Sequence, residues 1–346
     1  MSDESPSALK QLTLWRVREF LREPEAVFWV FAFPVLLAFA LGIAFKNRGP
    51  DPVSVAVLDG PGAPAIRQAL AADPTVVVTV IDSAEARNRL RTGRVSIVVL
   101  PGSPVVLRFD STRAESRLAR LVVTNALQEA AGRRDVAELR EQRVHEVGSR
   151  YIDFLIPGLL GMNIMGTGMW GIGFAVVKAR SGKLLKRFLA SPMSKSQYLF
   201  SHILARLVFL ALEVGSVLLF AWLVFRVPVR GSLLALTLVV LLGAMAFSGV
   251  GLLVASRSKT VEGVSGLMNL VMVPMWICSG VFFSSANFPD AVQPIIKALP
   301  LTALNNAIRG VMIDGSSLVQ MLPLLAIVTV WGVLSFGVAL KLFRWR

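Results

Sequence analysis

The chain has 346 residues, of which 54% are hydrophobic and 17% charged, and its formal net charge is +14. A soluble domain of this length carries about a quarter charged residues, so the deficit and the long charge-free runs exclude an ordinary soluble protein. The basic excess does not indicate nucleic-acid binding, because outside residues 46–152 the Lys and Arg residues stand beside the ends of apolar runs, as membrane topology signals do.

Within the leader, residues 1–26, we predict a helix over 8–23, ending near Pro24. Apolar side chains fall on one arc of this helix: Leu9, Leu14, Val17, Phe20 and Leu21. Arg18 and Arg22 lie on the opposite arc, which is typical of a helix lying in the inner membrane surface. The alternative is a disordered basic leader.

The first apolar run, residues 27–45, carries no charge and contains Pro34. A cleaved signal peptide has a shorter apolar core of about 7–15 residues and a small-residue cleavage site. This run is longer and lacks a convincing site of that kind. We therefore predict an uncleaved first membrane span.

Residues 46–152 have the patterning of a soluble domain. Strands are predicted over 53–59, 75–81, 96–100 and 105–110, and helices over 65–72, 82–92 and 114–149. Asp82 followed by Glu85 predicts a capping box, and Gly132 is a weak point in the last helix. Alternating strands and helices indicate a small α/β domain.

Residues 153–346 contain five further apolar runs, which predict spans over 154–177, 203–225, 232–255, 263–283 and 318–340. Fifteen Lys and Arg residues flank the span ends on one side, whereas the opposite short loops hold four. The positive-inside rule then puts both termini in the cytoplasm and 46–152 outside. The predicted fold class is an α-helical polytopic membrane protein with six transmembrane helices and a small α/β extracytoplasmic domain between spans one and two.

The largest predicted cytoplasmic loop is 178–202. We predict a short amphipathic helix in it, which Pro192 ends. Its apolar residues are Leu184, Leu185, Phe188 and Leu189, and its polar residues are Lys183, Lys186 and Arg187. Two interpretations stay open, a helix that transmits a push from a cytoplasmic partner and a basic loop that only sets topology.

Residues 284–317, here named the proline segment, are too apolar for a loop and are broken by prolines and glycine. We predict two short helices over 289–299 and 301–313 that dip back into the outer leaflet. Backbone of this kind must be buried in protein or face water. The alternative is an amphipathic hairpin on the membrane surface.

Polar and small residues inside the spans are candidates for function or packing. Six glycines lie in the second span: Gly158, Gly161, Gly166, Gly168, Gly171 and Gly173. They favour close helix contacts within the chain. Glu213 lies in mid-span, where an unpaired charge costs at least about 2.5 kcal/mol. It should therefore face an aqueous translocation path or a polar partner, for which Asn163 and Asn269 are candidates, or be protonated and bonded to a helix carbonyl.

Three stretches resemble one known family. They are REFLREPEAVFWVFAFPVLLAFALG, KLLKRFLASPMSKSQYLFSHILAR and SGVFFSSANFPDAVQPIIKALPLTALNNAIRG. Together they are similar to the ABC-2 type exporter permeases with a large extracytoplasmic domain. The resemblance implies a multi-pass protein of a bacterial plasma (inner) membrane. Its expected partners are membrane lipids, a second permease copy as homodimer or related chain, and two cytoplasmic ATPase subunits that hold ATP and Mg.

The resemblance also implies roles for particular residues. The family's ATPase-coupling helix corresponds to Lys183, Leu184, Leu185, Lys186, Arg187, Phe188, Leu189, Ser191 and Pro192. Residues 8–23 correspond to its connecting helix, and the proline segment to its outer gate, with Pro289, Pro300, Asn305 and Asn306 as candidates. One departure is Gly182-Lys183-Leu184, where many relatives have an acidic residue and Gly-Thr before the leucine.

The sequence lacks the phosphate-binding motif through which many ATPases hold ATP. A phosphate-binding loop needs Gly-x-x-x-x-Gly-Lys-Ser/Thr, whereas Gly182-Lys183 is followed by Leu184 and lacks the upstream glycine. With no catalytic residues and no metal-ligand cluster expected, we predict a transporter subunit rather than an enzyme, moving a lipophilic drug, lipid or lipid-linked substrate outward. The alternative is a membrane-anchored sensor whose outer domain binds a ligand without transport.

Overall fold

The structure, a computed structural model, describes residues 8–45, 52–133, 148–181, 195–258 and 260–342. The chain divides into two compact units. One unit comprises residues 47–144, and the other comprises residues 1–46 together with 145–346.

The N-terminal segment begins with helix α1, Ala8–Leu21, so a helix forms where the leader predicted one. Helix α2, Pro24–Val27, continues through a π-helical turn, Phe28–Ala32, into helix α3, Phe33–Ala44. The apolar helix therefore starts at Pro24 rather than Val27, because proline suits the first position of a helix, where no N–H bond is needed.

The unit formed by residues 47–144 is a four-stranded sheet with helices on both faces. Its elements are β1 Val53–Leu58, α4 Ala63–Ala71, β2 Val76–Ile81, α5 Ser83–Arg91, β3 Ile97–Leu100, β4 Val106–Phe109 and α6 Ala114–Ala130. The strand order is β2-β1-β3-β4, with β4 antiparallel and the others parallel. Helices α4 and α6 pack on one face against Val55 and Val57, and α5 packs on the other against Ala56 and Val98.

The prediction of one continuous helix over 114–149 is wrong. Helix α6 ends at Ala130, where Gly132 takes a φ of +91° and the N–H of Arg133 bonds to the carbonyl of Gln128. This is the Schellman stop that a glycine after a helix permits. Residues 148–150 are not helical, and 134–147 lie outside the described residues.

Helix α5 is capped by Asp82, whose Oδ1 accepts bonds from the N–H groups of Ala84 and Glu85, both at 2.8 Å. A full capping box would also have the Glu85 carboxylate accept from the N–H of Asp82. Here that carboxylate pairs with Arg89 at 2.5 Å instead, so only the first part of the predicted box forms. We expect Asp82→Ala to lower the stability of the unit by about 1 kcal/mol, because two N–H groups lose their acceptor. Pulse proteolysis in urea would measure the change. The control is Asp82→Ser, which keeps a capping oxygen and should lose much less.

The later helices are α7 Tyr151–Ser181, α8 Lys195–Phe225, α9 Leu233–Ala255 and α10 Val261–Cys278. In the proline segment α11 Gln293–Ala298 and α12 Pro300–Met312 follow two 3₁₀ turns, Ser285–Asn287 and Asp290–Val292, and the last helix is α13 Leu318–Leu342. Counting the Pro24–Ala44 helix, six helices in the described residues are long and apolar enough to cross a membrane.

The fifth of these apolar helices is shorter than predicted. It ends at Cys278, not at residue 283, because the chain turns at Gly280 with a φ of +69°. Only glycine adopts this left-handed conformation readily. The turn places the backbone of residues 279–283 beside the start of α7, where the Tyr151 hydroxyl donates to the Phe282 carbonyl at 2.9 Å.

The glycines of α7 let neighbouring segments approach closely. A Cβ on Gly158 would lie 2.5 Å from the Val281 carbonyl oxygen, and one on Gly168 would lie 3.0 Å from the Phe247 Cβ. On α9, a Cβ on Gly251 would lie 2.7 Å from the Met169 Cα. These contacts confirm the interpretation of close packing within the chain.

The two helices of the proline segment differ in burial. Almost every residue of α12 is buried, and the helix packs against α7, α9 and α13. In α11 only Ile296 is buried. The surface-hairpin alternative is therefore wrong for α12, whose apolar side chains point into the bundle on all sides.

Candidate functional site

A buried polar network lies among the apolar helices around Glu213, whose side chain is 0% exposed. Its Oε1 accepts a bond from the Thr167 hydroxyl at 3.1 Å, and its Oε2 lies 3.6 Å from Nη1 of Arg206. Nη2 of Arg206 donates to the Thr167 hydroxyl at 2.8 Å. The three side chains thus form a closed triangle that joins α7 to α8.

The spacing along α8 explains this pairing. Arg206 and Glu213 are seven residues apart, which is two helical turns, so both side chains lie on the same face. Arg206 keeps 23% exposure near one end of the apolar stretch, and its long side chain reaches inward to the buried carboxylate.

Asn163 extends the network to the first apolar helix. Its Nδ2 donates to the Val30 carbonyl at 3.1 Å. In an α-helix that carbonyl would accept from residue 34, but Pro34 has no N–H. The π-helical turn over Phe28–Ala32 lies at the same place. Asn163 therefore satisfies a carbonyl that the sequence of the first helix leaves without its own partner.

Asn163 and Asn269, the predicted partners of Glu213, do not contact its carboxylate. Asn163 is connected to it only through Thr167, whose hydroxyl lies 2.9 Å from the Asn163 carbonyl oxygen. Asn269 is exposed on α10. A helix-carbonyl partner for Glu213 is likewise not found among the described residues: Oε1 accepts from Thr167, and Oε2 has no hydrogen bond but lies 3.6 Å from Nη1 of Arg206. Here "polar network" denotes Asn163, Thr167, Arg206 and Glu213.

The sequence contained a signal for one of the missed residues. Arg206 is the other charge in the third apolar run, and its seven-residue spacing from Glu213 indicates a pair on one face. Thr167 had no such signal, because a hydroxyl within an apolar helix commonly bonds to its own backbone.

A second polar cluster connects α12 to its neighbours. Asn305 is fully buried, and its Nδ2 donates to the Ser279 carbonyl at 2.9 Å. Arg309 donates to the Phe154 carbonyl at 3.2 Å and to the Gly280 carbonyl, and its guanidinium lies 3.7 Å from the centre of the Phe154 ring. Among the described residues no acidic side chain pairs with Arg309. This arginine, counted from sequence only as a topology signal, fixes three chain segments together.

The predicted outer-gate residues do not form one cluster. Pro300 and Asn305 are buried in α12, Asn306 is partly buried, and Pro289 is exposed before α11. The predicted ATPase-coupling residues, Lys183 to Pro192, lie outside the described residues. Within the described ranges, no group of three His, Cys, Asp or Glu side chains could hold a metal ion.

The chain is similar in sequence to a known family of membrane proteins. The family model described as ABC-2 family transporter protein matches residues 25–341. Over 202 residues the chain is 28% identical to inner membrane transport permease YadH of Escherichia coli, covering 57% of this chain and 75% of YadH. Over 176 residues it is 22% identical to linearmycin resistance permease protein LnrN of Bacillus subtilis, covering 51% of this chain and 46% of LnrN.

A eukaryotic relative is similar as well. Over 170 residues the chain is 28% identical to ABC transporter G family member 20 of Dictyostelium discoideum, covering 49% of this chain and 23% of that protein. The matched region is thus less than half the length of LnrN and of the Dictyostelium protein. Since the family match extends over nearly all of the sequence and includes the six apolar helices, this membrane protein belongs to the ABC-2 family of transporter proteins.

Proposed function

We propose that the chain is the membrane subunit of an ATP-driven exporter and that ATP, with Mg, is hydrolysed by separate ATPase subunits. The family match over residues 25–341 carries the proposal. In support, residues 1–346 contain no phosphate-binding loop, without which the backbone cannot hold the phosphates in that way.

The proposed assembly has two permease copies and two cytoplasmic ATPase subunits in a bacterial inner membrane. Both termini and the loop 178–202 lie on the cytoplasmic side, where Lys and Arg are concentrated. Residues 46–152 lie outside. ATP binding closes the ATPase subunits, and the segment Lys183–Pro192 passes their movement to α7 and α8, which flank it in sequence.

The proposed cargo is lipophilic, a drug, lipid or lipid-linked molecule. The described helices present mostly apolar surface, including Leu219, Trp222 and Leu223 on α8. The name of LnrN refers to resistance to linearmycin, which is consistent with export of a drug-like molecule. The polar network is the candidate for a translocation role, because it joins three apolar helices at a depth where polar groups are rare and commonly functional.

The ATPase association provides the direct test. The chain would be co-expressed with a candidate ABC ATPase subunit from its source organism, and we expect Leu185→Asp with Phe188→Asp to lower the amount of co-purified ATPase at least tenfold. A tenfold change corresponds to about 1.4 kcal/mol. The free energy needed to bury two charges in an apolar contact is larger than that.

The matched control is Leu118→Asp, the same change at a side chain 57% exposed on α6. It should leave association unchanged. If the double variant still binds the ATPase and still transports, then the coupling assignment is wrong. If no ATPase binds to the unaltered chain and transport continues without ATP, then the proposed function is wrong.

A further inference from the structure

Strand β2 forms one edge of the four-stranded sheet and is unusually open. Its sequence is VVVTVI, so all six side chains are β-branched and none is charged. It pairs with β1 without a bulge from Val76 to Ile81. Edge strands are commonly protected from other chains by charges, prolines or bulges. The other edge, β4, has only four residues and carries Arg108.

The hydrogen-bonding groups on the free side of β2 can be identified from its pairing. The carbonyls of Thr75 and Ile81 accept bonds from β1, at 2.7 and 3.1 Å. The N–H and C=O of one residue point to the same side of a strand and alternate along it. Therefore Val76, Val78 and Val80 direct their backbone groups away from β1.

The side chains beside this edge are also accessible. Val77 is 48% exposed on the face covered by α5, and Val80 is 38% exposed on the opposite face. An open groove runs between β2 and α4. It is lined by Asp59, Ala63, Pro64, Arg67, Gln68, Ala71 and Val80. An added strand could therefore bond to β2 and place alternate side chains in this groove, as in other cases of strand addition.

We propose that β2 pairs with β2 of a second copy of this chain, antiparallel and about a two-fold axis at Val78. Val78 then faces the partner's Val78, and Val76 faces the partner's Val80. The N–H of Val76 already donates to the carbonyl of Asp73 at 3.1 Å, so the three pairs exchange about four backbone hydrogen bonds. They join the two sheets into one of eight strands, since each has four. The inference rests on the second permease copy in the proposed function.

A second copy fits this edge because the edge is complementary to itself. The three outward residues are centred on Val78, so the two-fold pairing sets each of them opposite another outward residue. No like charges meet across it, because β2 has no charge. A single strand pair is too small for a stable dimer alone, which needs roughly 1,200 Å² or more of buried area. The membrane helices of the dimer would hold the two edges at high effective concentration.

Cysteine cross-linking tests the pairing in the full-length protein in native membranes. Cys278 is the single cysteine, so Cys278→Ser gives the background. We expect Val78→Cys to form a disulfide-linked dimer on mild oxidation, because directly opposed residues have Cα atoms about 5.5 Å apart, within disulfide range. Val76→Cys should link at least tenfold more slowly, because its two copies lie four residues out of register, or about 13 Å apart. Mixed Val76→Cys and Val80→Cys copies should link.

Val106→Cys on β4, the opposite edge, serves as the control and should not link. The number of chains per particle would be measured separately in nanodiscs. If dimers form but Val78→Cys does not link, or links no faster than Val76→Cys, then this inference is wrong and the homodimer stands. A disulfide from Val78→Cys to a different protein also overturns it. If the protein is a monomer, then both the pairing and the second copy in the proposed function are wrong.

Discussion

Glu213→Leu is expected to lower the free energy of unfolding by about 3 kcal/mol. Removal of one partner from a buried ion pair costs about 3–5 kcal/mol, because the remaining charge is left without compensation. Arg206 keeps 23% exposure, so its side chain can shift toward water and reduce the loss to the lower end of that range. Unfolding in micelles with increasing SDS would measure the change.

The double variant Arg206→Leu, Glu213→Leu separates pairing from function. Replacement of both charges by apolar residues of similar size is often neutral for stability, so we expect most of the lost free energy to return. Transport should stay low if the polar network takes part in translocation. Recovery of both stability and transport would show that the pair serves only folding.

Glu262→Leu provides the matched control. Glu262 is exposed in the first turn of α10, and a substitution at such a surface position usually changes stability by less than about 0.5 kcal/mol. If Glu213→Leu were equally mild, the buried pairing of Glu213 and Arg206 would be contradicted.

The sequence was most informative where one physical requirement acts along a continuous stretch. Each apolar run must be long enough to cross a bilayer and free of charge, so the six long helices could be found within a few residues. The strands of the 47–144 unit were found because alternation and turn residues are local properties. The stop after Ala130 was indicated only by a weak point at Gly132, and the stop after Cys278 was missed, because each depends on one glycine with positive φ within an otherwise helical pattern.

Contacts between distant segments could not be predicted in the same way. The burial of Glu213 was expected, but its partners lie on two helices and 46 residues separate it from Thr167. The bond from Asn163 to Val30 follows from the missing N–H of Pro34, which is visible in the sequence. Which side chain supplies the replacement is decided only when α7 packs beside the first helix.

Gly161→Ala is the second large expected effect, because Gly161 is where α7 meets α12. A Cβ at this position would overlap Asn305 Oδ1 and lie 3.1 Å from its Cγ. Asn305 is fully buried and bonded to the Ser279 carbonyl, so its side chain cannot turn away without losing that bond. We expect a loss of about 3 kcal/mol, the upper end for overpacking in a core, measured by unfolding in SDS.

Gly171→Ala on the same helix is the control, since a Cβ there meets nothing within 4 Å. It should be neutral or stabilise by roughly 0.5–1 kcal/mol, because alanine favours a helix more than glycine does. A loss from Gly171→Ala equal to that from Gly161→Ala would contradict the steric explanation and indicate a general intolerance of this helix.

Gly161→Ala combined with Asn305→Ala tests whether Asn305 serves packing alone or transport as well. The second change removes the overlapping amide, so we expect part of the stability to return. The same change also removes the hydrogen bond by which Asn305 connects α12 to the turn after α10. If the proline segment acts as the outer gate, the double variant should fold but transport poorly, because α12 has lost that tie. If it transports normally, then the polar contacts of Asn305 serve packing alone.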